Sequence, residues 1–167
     1  PAPVSSFTAS TAIIDSAGEV GSGTSIAIGP DGLGLISYYD ATNAALKVAH
    51  PTFMRLTGEI EFDVNQDVVT VDSGVAGTGP YKGKHTSITL SPTGFPHIAY
   101  QYSNDFGHID EAQLYARGDI PQGTGNCGEG DAAGDWQCEV IFNDEGVGQY
   151  ADITLHDWTN PSIAFFD

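Results

Sequence analysis

Acidic side chains are gathered in two loops, one of which also contains a histidine. They are the residues best suited to bind a metal ion. The loops read "SNDFGHIDEAQ" (103–113) and "GEGDAAGD" (128–135). Carboxylate oxygens bind Ca²⁺, and an added imidazole nitrogen also suits Mn²⁺ or Zn²⁺. Neither spacing matches a known metal-binding loop, so a solvated acidic loop is the alternative. The candidate metal ligands, with Ca²⁺ as the expected ion, are Asp105, His108, Asp110, Glu111, Glu129, Asp131 and Asp135.

Motifs for nucleophilic or metal-assisted hydrolysis are absent from the sequence. It contains no Gly-x-Ser-x-Gly, His-Glu-x-x-His or phosphate-binding loop. We therefore assign no catalytic residue. A glycan-active hydrolase or lyase is an alternative function, and it requires insertion residues such as His108 and Asp110 to converge in a cleft.

Aromatic side chains form a second group with chemical potential, because Tyr and Trp rings stack on sugar faces and carry a polar handle. They occur in pairs within the strand-like runs "ISYYD" and "IAYQY". In a strand, adjacent side chains face opposite sides, so one of each pair is expected in the core. The candidate ligand-binding residues are Tyr39, Tyr102, Trp136 and Trp158, with core packing as the alternative role.

The charge balance restricts the partners of the chain. Its 167 residues include 5 Lys+Arg against 22 Asp+Glu, which gives a net charge of −17. A polyanion repels phosphate backbones and anionic lipid surfaces, so we expect no nucleic-acid partner. The sequence also has no run of 18 apolar residues, so we expect no membrane insertion.

Two cysteines lie eleven positions apart in the loop "NCGEGDAAGDWQC". A disulfide between Cys127 and Cys138 is the favoured interpretation, with two free buried thiols as the alternative. A disulfide implies an oxidising compartment, and we expect an extracellular or cell-surface location. The start "PAPVSSFTAS" is typical of a processed secreted protein or of a linker.

One pattern occurs three times. "SIAI" begins at Ser25, "SITL" at Ser87 and "DITL" at Asp152, and each is followed by a turn and then an apolar-aromatic run. Such self-similarity at a fixed period is the signature of a repeat architecture. The sequence predicts one repeat-built domain over 1–167, with units at about 11–61, 62–135 and 136–167, the last of them incomplete.

The repeats predict an all-β fold. The runs are short and rich in β-branched and aromatic residues, and Gly, Pro, Asn and Asp separate them. "GPDG" and "SPTG" are typical of tight hairpin turns. Each unit supplies about four antiparallel strands, which favours β-propeller blades, about two and a half of them in this chain. A β-sandwich is the alternative fold.

The repeat resembles those of secreted bacterial β-propeller proteins. "GTSIAIGPDGLGLISYYDATNAALKVAH" carries the resemblance most fully, and it extends over most of 11–167 apart from insertions at 51–61 and 118–135. The resemblance implies a sialidase-like or related propeller architecture. It implies no particular activity. The sialidase-type Asp box is absent, and the only arginines are Arg55 and Arg117, which argues against sialidase activity.

From these features we expect an extracellular propeller segment that acts as a binding or assembly scaffold. A propeller requires at least four blades, so the last strand, "SIAFF", is expected to pair with another chain or with further copies of this one. Carbohydrate is a further candidate partner. A self-assembling surface or filament protein is the second alternative function.

Overall fold

The computed structural model describes residues 11–51, 53–54, 60–61, 67–104, 111–157 and 159–167. Within them the chain is all-β with antiparallel sheets, which confirms the all-β, antiparallel part of the predicted fold class. No described helix is long and apolar enough to cross a membrane. The strands are β1 (Val20–Ile28), β2 (Gly34–Asp40), β3 (Ala45–Ala49), β4 (Phe53–Met54), β5 (Ile60–Glu61), β6 (Val68–Asp72), β7 (Tyr81–Leu90), β8 (Pro96–Ser103), β9 (Glu111–Arg117), β10 (Gln137–Asn143), β11 (Gln149–His156) and β12 (Asn160–Phe166).

Two four-stranded meanders and one hairpin contain most of these strands. The first sheet has the order β1–β2–β3–β6, and the second sheet has the order β7–β8–β9–β10. β11 and β12 form the C-terminal hairpin, and β4 and β5 pair separately within the insertion after β3. β1, β7 and β11, which we call the leading strands, each begin one of these units.

The predicted hairpin turns follow the leading strands. In the first turn Gly29 donates its N–H to the Leu33 carbonyl at 2.8 Å, and Asp31 Oδ1 accepts the Leu33 N–H at 3.0 Å. In the second, Ser91 donates its N–H to the Phe95 carbonyl at 2.9 Å, and the Ser91 hydroxyl accepts the Phe95 N–H at 3.0 Å. Side-chain oxygens thus reinforce both turns, as Asp and Ser do in turns generally.

The three hairpins that these leading strands begin share one pairing register. Ser25 pairs with Ser37, Ser87 with Ala99, and Asp152 with Ala164. In each hairpin the register shifts just before this pair, so a bulge precedes it on the leading strand. Because a shift of one residue would turn every side chain to the other face, equal register places equivalent residues on equivalent faces.

The fourth strand of each four-stranded sheet belongs to a different unit from the one expected. The repeat boundaries place "VVTVD" in the second unit, but β6 pairs with β3 and closes the first sheet. In the same way β10 pairs with β9 and closes the second sheet. The segments that follow β6 and β10 therefore connect one sheet to the next unit.

The three units pack face to face in chain order. β7 lies against β1, β2 and β3 of the first sheet, and β11 lies against β7 and β8 of the second. The core between the two sheets contains Leu46, Val71, Ile98 and Tyr100. A smaller cluster, built around Ile153, joins the second sheet to the C-terminal hairpin.

Glycines in β7 and directly before β11 let these two strands approach the preceding sheet. A Cβ on Gly83 would lie 2.6 Å from the Leu46 Cα of β3, and one on Gly148 would lie 2.9 Å from the Ala112 carbonyl oxygen of β9. Both glycines also have positive φ, at 105° and 87°. Any side chain at either position would push the two backbones apart.

A disulfide joins Cys127 to Cys138, as predicted from the sequence. It closes the loop that precedes β10. Asn126 reinforces it, because its side-chain oxygen accepts the Cys138 N–H at 2.7 Å and its amide donates to the Cys138 carbonyl at 2.9 Å. The loop holds Trp136, which is 7% exposed, in the core between the sheets.

Replacing both cysteines by serine should lower the free energy of unfolding by about 3 kcal/mol, because a loop of this length regains its conformational freedom in the unfolded chain. Urea denaturation of the wild type and of the Cys127→Ser/Cys138→Ser variant measures the difference. Equal midpoints for the two proteins would show that the disulfide does not stabilise the fold.

Candidate assembly surface

A serine hydroxyl joins each leading strand to the next. The Ser25 Oγ accepts the Ile88 N–H at 3.2 Å, and the Ser87 Oγ accepts the Ile153 N–H at 3.3 Å. A leading strand lies at the edge of its sheet, so this N–H has no ladder partner on its outer side. The Ile153 N–H is shared, because it also donates to Asp152 Oδ1 of its own strand at 3.0 Å. Ser87 also donates its hydroxyl proton to Asp152, the residue at the same position of the next leading strand, at 3.1 Å.

A tyrosine–aspartate pair forms a second link between the sheets. The fully buried Tyr100 of β8 donates its hydroxyl proton to Asp72 Oδ2, at the end of β6, at 2.7 Å. The Lys82 ammonium lies 2.8 Å from the other oxygen of Asp72. Burial, followed by the Asp72 charge, raises the pKa of Tyr100 well above its usual value, so the phenol remains a proton donor.

The same pair occurs in front of the first sheet. Tyr38 of β2 donates to Asp15 Oδ2 at 2.8 Å, and Lys47 lies 3.4 Å from the same oxygen. Burial opposes ionisation of Asp15, but hydrogen bonds from the Ala17 N–H and from Tyr38, with the Lys47 charge, give its carboxyl a lowered pKa. Asp15 thus makes with the first sheet the same contact that Asp72 makes with the second.

The C-terminal hairpin replaces this polar pair with an apolar contact. Phe165 occupies the position of Tyr38 and Tyr100, and its ring lies 5.9 Å from that of Phe142, centroid to centroid. By strand register, Phe142 occupies in β10 the position that Asp72 occupies in β6. The hydroxyl and the carboxylate are therefore both replaced in the third unit, which avoids burying either without its partner.

One face of the first sheet is apolar and exposed. Ile26, Ile88 and Ile153 occupy the same position of the three leading strands, but Ile88 is 6% exposed and Ile153 is 7% exposed, whereas Ile26 is 61% exposed. Ile28, two residues further along β1, is 65% exposed. We call the face that carries Ile26, Ile28 and their partly buried neighbour Ile36 the open face.

A cavity of about 270 Å³ lies beside the open face, between β1, β2 and the segment 12–15. Its lining is mostly apolar. Thr24, Tyr38 and Asp15 supply the polar side-chain groups, and Tyr38 is already hydrogen-bonded to Asp15. The lining residues are Ala12, Ile13, Ile14, Asp15, Val20, Gly21, Thr24, Ile36, Tyr38 and Ala49.

The opposite end of the stack is also exposed. One position is shared by β2, β8 and β12, the second strands of the three hairpins. The residues there are Tyr39, Gln101 and Phe166, which are 7%, 2% and 60% exposed. Asp152, Thr154 and Ala164 are exposed on the same outer face of the hairpin. β12 has no further pairing partner among the described residues.

The predicted metal ligands are not brought together in the part of the chain that the structure describes. Asp105, His108 and Asp110, and the side chain of Asp131, lie outside it. Glu111 is buried at the start of β9, Glu129 is exposed, and Asp135 accepts the Gly123 N–H at 2.8 Å. No three described His, Cys, Asp or Glu side chains are grouped so as to hold a metal ion. Calcium binding stays a prediction.

The predicted ligand-binding aromatics have different surroundings. Tyr39 and Trp136 are each 7% exposed, and Tyr102 packs partly buried against the core between the sheets. Trp158 lies outside the described residues. Carbohydrate binding at these positions stays a prediction, and the three described rings contribute to packing.

A buried histidine lies where the second sheet meets the hairpin. His97 Nδ1 is hydrogen-bonded to the Tyr115 hydroxyl, and the two rings stack with centroids 6.0 Å apart. Burial lowers the pKa of His97 and raises that of Tyr115 to about 12, so both groups are neutral near pH 7. This pair fills the interface between the units.

Sequence reasoning missed the residues that link the sheets. It identified Ser25 and Ser87 as repeat positions but not as acceptors, and it did not connect Asp15 with Tyr38. One signal was present in the sequence. The carboxylate at the end of β6 and the tyrosine of β8 are both replaced at the corresponding positions of the third unit.

Comparison with known proteins gave no relative. A scan against family models and searches of curated proteins and of solved structures found no match. The function proposed below is therefore argued from the contacts described above.

Changing Tyr100→Phe should lower the free energy of unfolding by about 2 kcal/mol, because the buried Asp72 carboxylate loses a hydrogen bond that no water can replace. Chemical denaturation measures the change. The matched control is Tyr150→Phe, which removes a hydroxyl from a side chain that is 74% exposed. A Tyr100→Phe loss no larger than that of the control would contradict a structural role for the pair.

Proposed function

We propose that this chain is an extracellular β-propeller segment that acts as an assembly scaffold and is completed by a further β-sheet. The observation that carries the proposal is the exposure of Ile26, beside the burial of Ile88 and Ile153 at the same position. An isoleucine at this position is buried wherever a preceding sheet is present. Contiguous exposed apolar surface of this kind marks an interaction site.

The order of the sheets supports a propeller over a sandwich. A sandwich has two sheets, whereas three units stack here in chain order, and successive leading strands lie side by side. Four-stranded meanders with short strands are the usual form of a propeller blade. The equal registers and the two serine links fit one blade-to-blade contact that is used twice.

The segment before β1 also supports a missing sheet. Asp15 makes the contact with Tyr38 that Asp72, from the outer strand of the first sheet, makes with Tyr100. Residues 12–15 thus occupy the place of an outer strand in front of the first sheet. Gly21, the counterpart of Gly83 and Gly148, has a φ of 92° and no described atom within 4 Å of its Cβ direction.

The covalent and charge properties support the extracellular part of the proposal. The Cys127–Cys138 disulfide persists in oxidising surroundings. A net charge of −17 favours solubility. Both suit a secreted scaffold.

Extending the chain by a copy of residues 41–72 tests the proposal. Asp167 occupies the position of Asp40, so this extension should add copies of β3 and β6 beside β12 and complete a third four-stranded sheet. The new sheet covers the edge of β12, and the melting temperature should rise by about 4 °C or more.

The control extension carries Val48→Pro in the appended copy only, because a proline in a central strand removes ladder hydrogen bonds. Thermal unfolding by circular dichroism measures both proteins. If the extension stabilises the chain no more than its proline control does, the third unit is not an incomplete blade and the proposal is wrong.

A further inference from the structure

We propose that mild acid releases the C-terminal hairpin from the second sheet, because a proton on His97 places a charge inside the contact between them. We call this contact the hairpin junction. It is formed by β11 against β7 and β8, and its apolar centre is Ile153 with Ala99 and Tyr115. The inference goes beyond the proposed function and holds whether or not a further sheet is present.

Two histidines lie at the hairpin junction, and other residue types take their positions at the first junction. His97 occupies in β8 the position that Leu35 occupies in β2, where the leucine is part of the core between the sheets. His85 lies two residues before Ser87 in β7, as Gly23 lies two residues before Ser25 in β1. Groups that change charge near neutral pH are thus specific to the hairpin junction.

The His97 ring has a hydrogen-bond partner for one of its two nitrogens among the described residues. Nδ1 is hydrogen-bonded to the Tyr115 hydroxyl, whereas the buried Nε2 has no described partner. The residue is only 1% exposed, so water does not serve as the missing partner. A neutral imidazole carries one N–H, but an imidazolium carries two and needs an acceptor for each. Protonation therefore leaves a buried, charged N–H without an acceptor, which is costly.

The charges near His97 do not stabilise an imidazolium. Burial is the main cause of its lowered pKa, which the Asp119 charge opposes and the Arg117 charge reinforces. Arg117 lies opposite His97 in β9, and its guanidinium is 2.9 Å from the Asp119 carboxylate. Because these two charges form an ion pair, their effects on the imidazole largely offset each other.

The hairpin supplies no buried counter-charge. The side chains with which it packs on the Tyr115 side are apolar, and the carboxylates of Asp152 and Asp157 are on exposed residues. Asp152 is in addition hydrogen-bonded to Ser87. The remaining titratable groups of the elements packed at the junction are Lys84 and His85 on β7, Glu111 on β9, Glu139 on β10, and Tyr150 and His156 on β11.

His85 adds a second imidazole to the hairpin junction. Its ring lies 4.8 Å from that of Tyr150, centroid to centroid, where β7 meets the start of β11. Burial, followed by the Lys84 charge, lowers the pKa of His85, while the Glu111 charge opposes the change. His85 is only partly buried, so we expect it to contribute less than His97.

The direction of the pH effect follows from the lowered pKa of both histidines. Once the hairpin is released, each imidazole is in water and binds a proton near pH 6.5. In the closed junction the same proton binds only at a lower pH. The junction is therefore fully stable above about pH 6.5 and loses stability as the pH falls below that value.

Amide hydrogen exchange at pH 7.5 and pH 5.5, corrected for the intrinsic pH dependence of exchange, tests the inference. The Ile153 N–H lies at the hairpin junction, and the Ile88 N–H lies at the first junction. A proton that binds only the released form raises its population about tenfold one pH unit below the ordinary histidine value. The protection factor of Ile153 should therefore fall about tenfold, while that of Ile88 should change little.

Histidine variants identify the group that titrates. His97→Leu introduces the residue of the first junction and should remove most of the fall, and His97→Leu/His85→Gly should remove all of it. The matched control is His156→Gln, which changes an exposed histidine of the same hairpin and should leave the fall unchanged. Should leucine prevent folding, as judged by circular dichroism, His97→Gln gives the same test with a neutral polar side chain.

Four results would overturn the inference: an Ile153 protection factor that is the same at both pH values, an equal fall for Ile88, an undiminished fall in the His97 variant, or a fall that His156→Gln abolishes. The first would show that acid does not release the hairpin, and the second that it loosens the whole chain. The last two would assign the effect to a group other than His97.

Discussion

The hydrogen bond from a leading-strand N–H to the serine of the preceding unit is the interaction on which this architecture depends. A leading strand lies at the edge of its own sheet, so its outward N–H must find an acceptor elsewhere. Ser25 provides it for Ile88, and Ser87 shares the Ile153 N–H with Asp152 Oδ1 of the same strand. This bond sets how far one sheet is displaced along the next, and with it which side chains face each other in the core.

The other inter-sheet contacts follow from that alignment. Tyr100 reaches Asp72 only because the second strand of one sheet lies over the outer strand of the sheet before it. A buried carboxylate is costly unless its partners are in place, so the pair also penalises slippage. The third unit replaces this pair with the contact of Phe142 and Phe165, which carries no such penalty. The junction nearest the C-terminus thus depends more on apolar packing.

Much of the fold could be predicted from local chemistry. Turn residues, β-branched runs and the threefold pattern beginning at Ser25 indicated antiparallel hairpins, and loop spacing indicated the disulfide. The sheet to which β6 belongs could not be predicted, because a strand followed by a turn has the same sequence pattern whichever sheet it joins. The open face was also hidden, since Ile26 and Ile88 have the same local sequence context and differ only in what lies in front of them. The site therefore emerges from tertiary packing rather than from a motif.

Amide hydrogen exchange of three isoleucines tests the central claim most directly. In dilute, monomeric protein the N–H groups of Ile88 and Ile153 should exchange slowly, because each donates to a neighbouring unit, whereas the Ile26 N–H should exchange at least about tenfold faster. The variant Ser25→Ala should speed the exchange of the Ile88 amide. Ser87→Ala should have a smaller effect on the Ile153 amide, which also donates to Asp152 Oδ1. Equal protection of all three amides, or no response of the Ile88 amide to Ser25→Ala, would contradict the account.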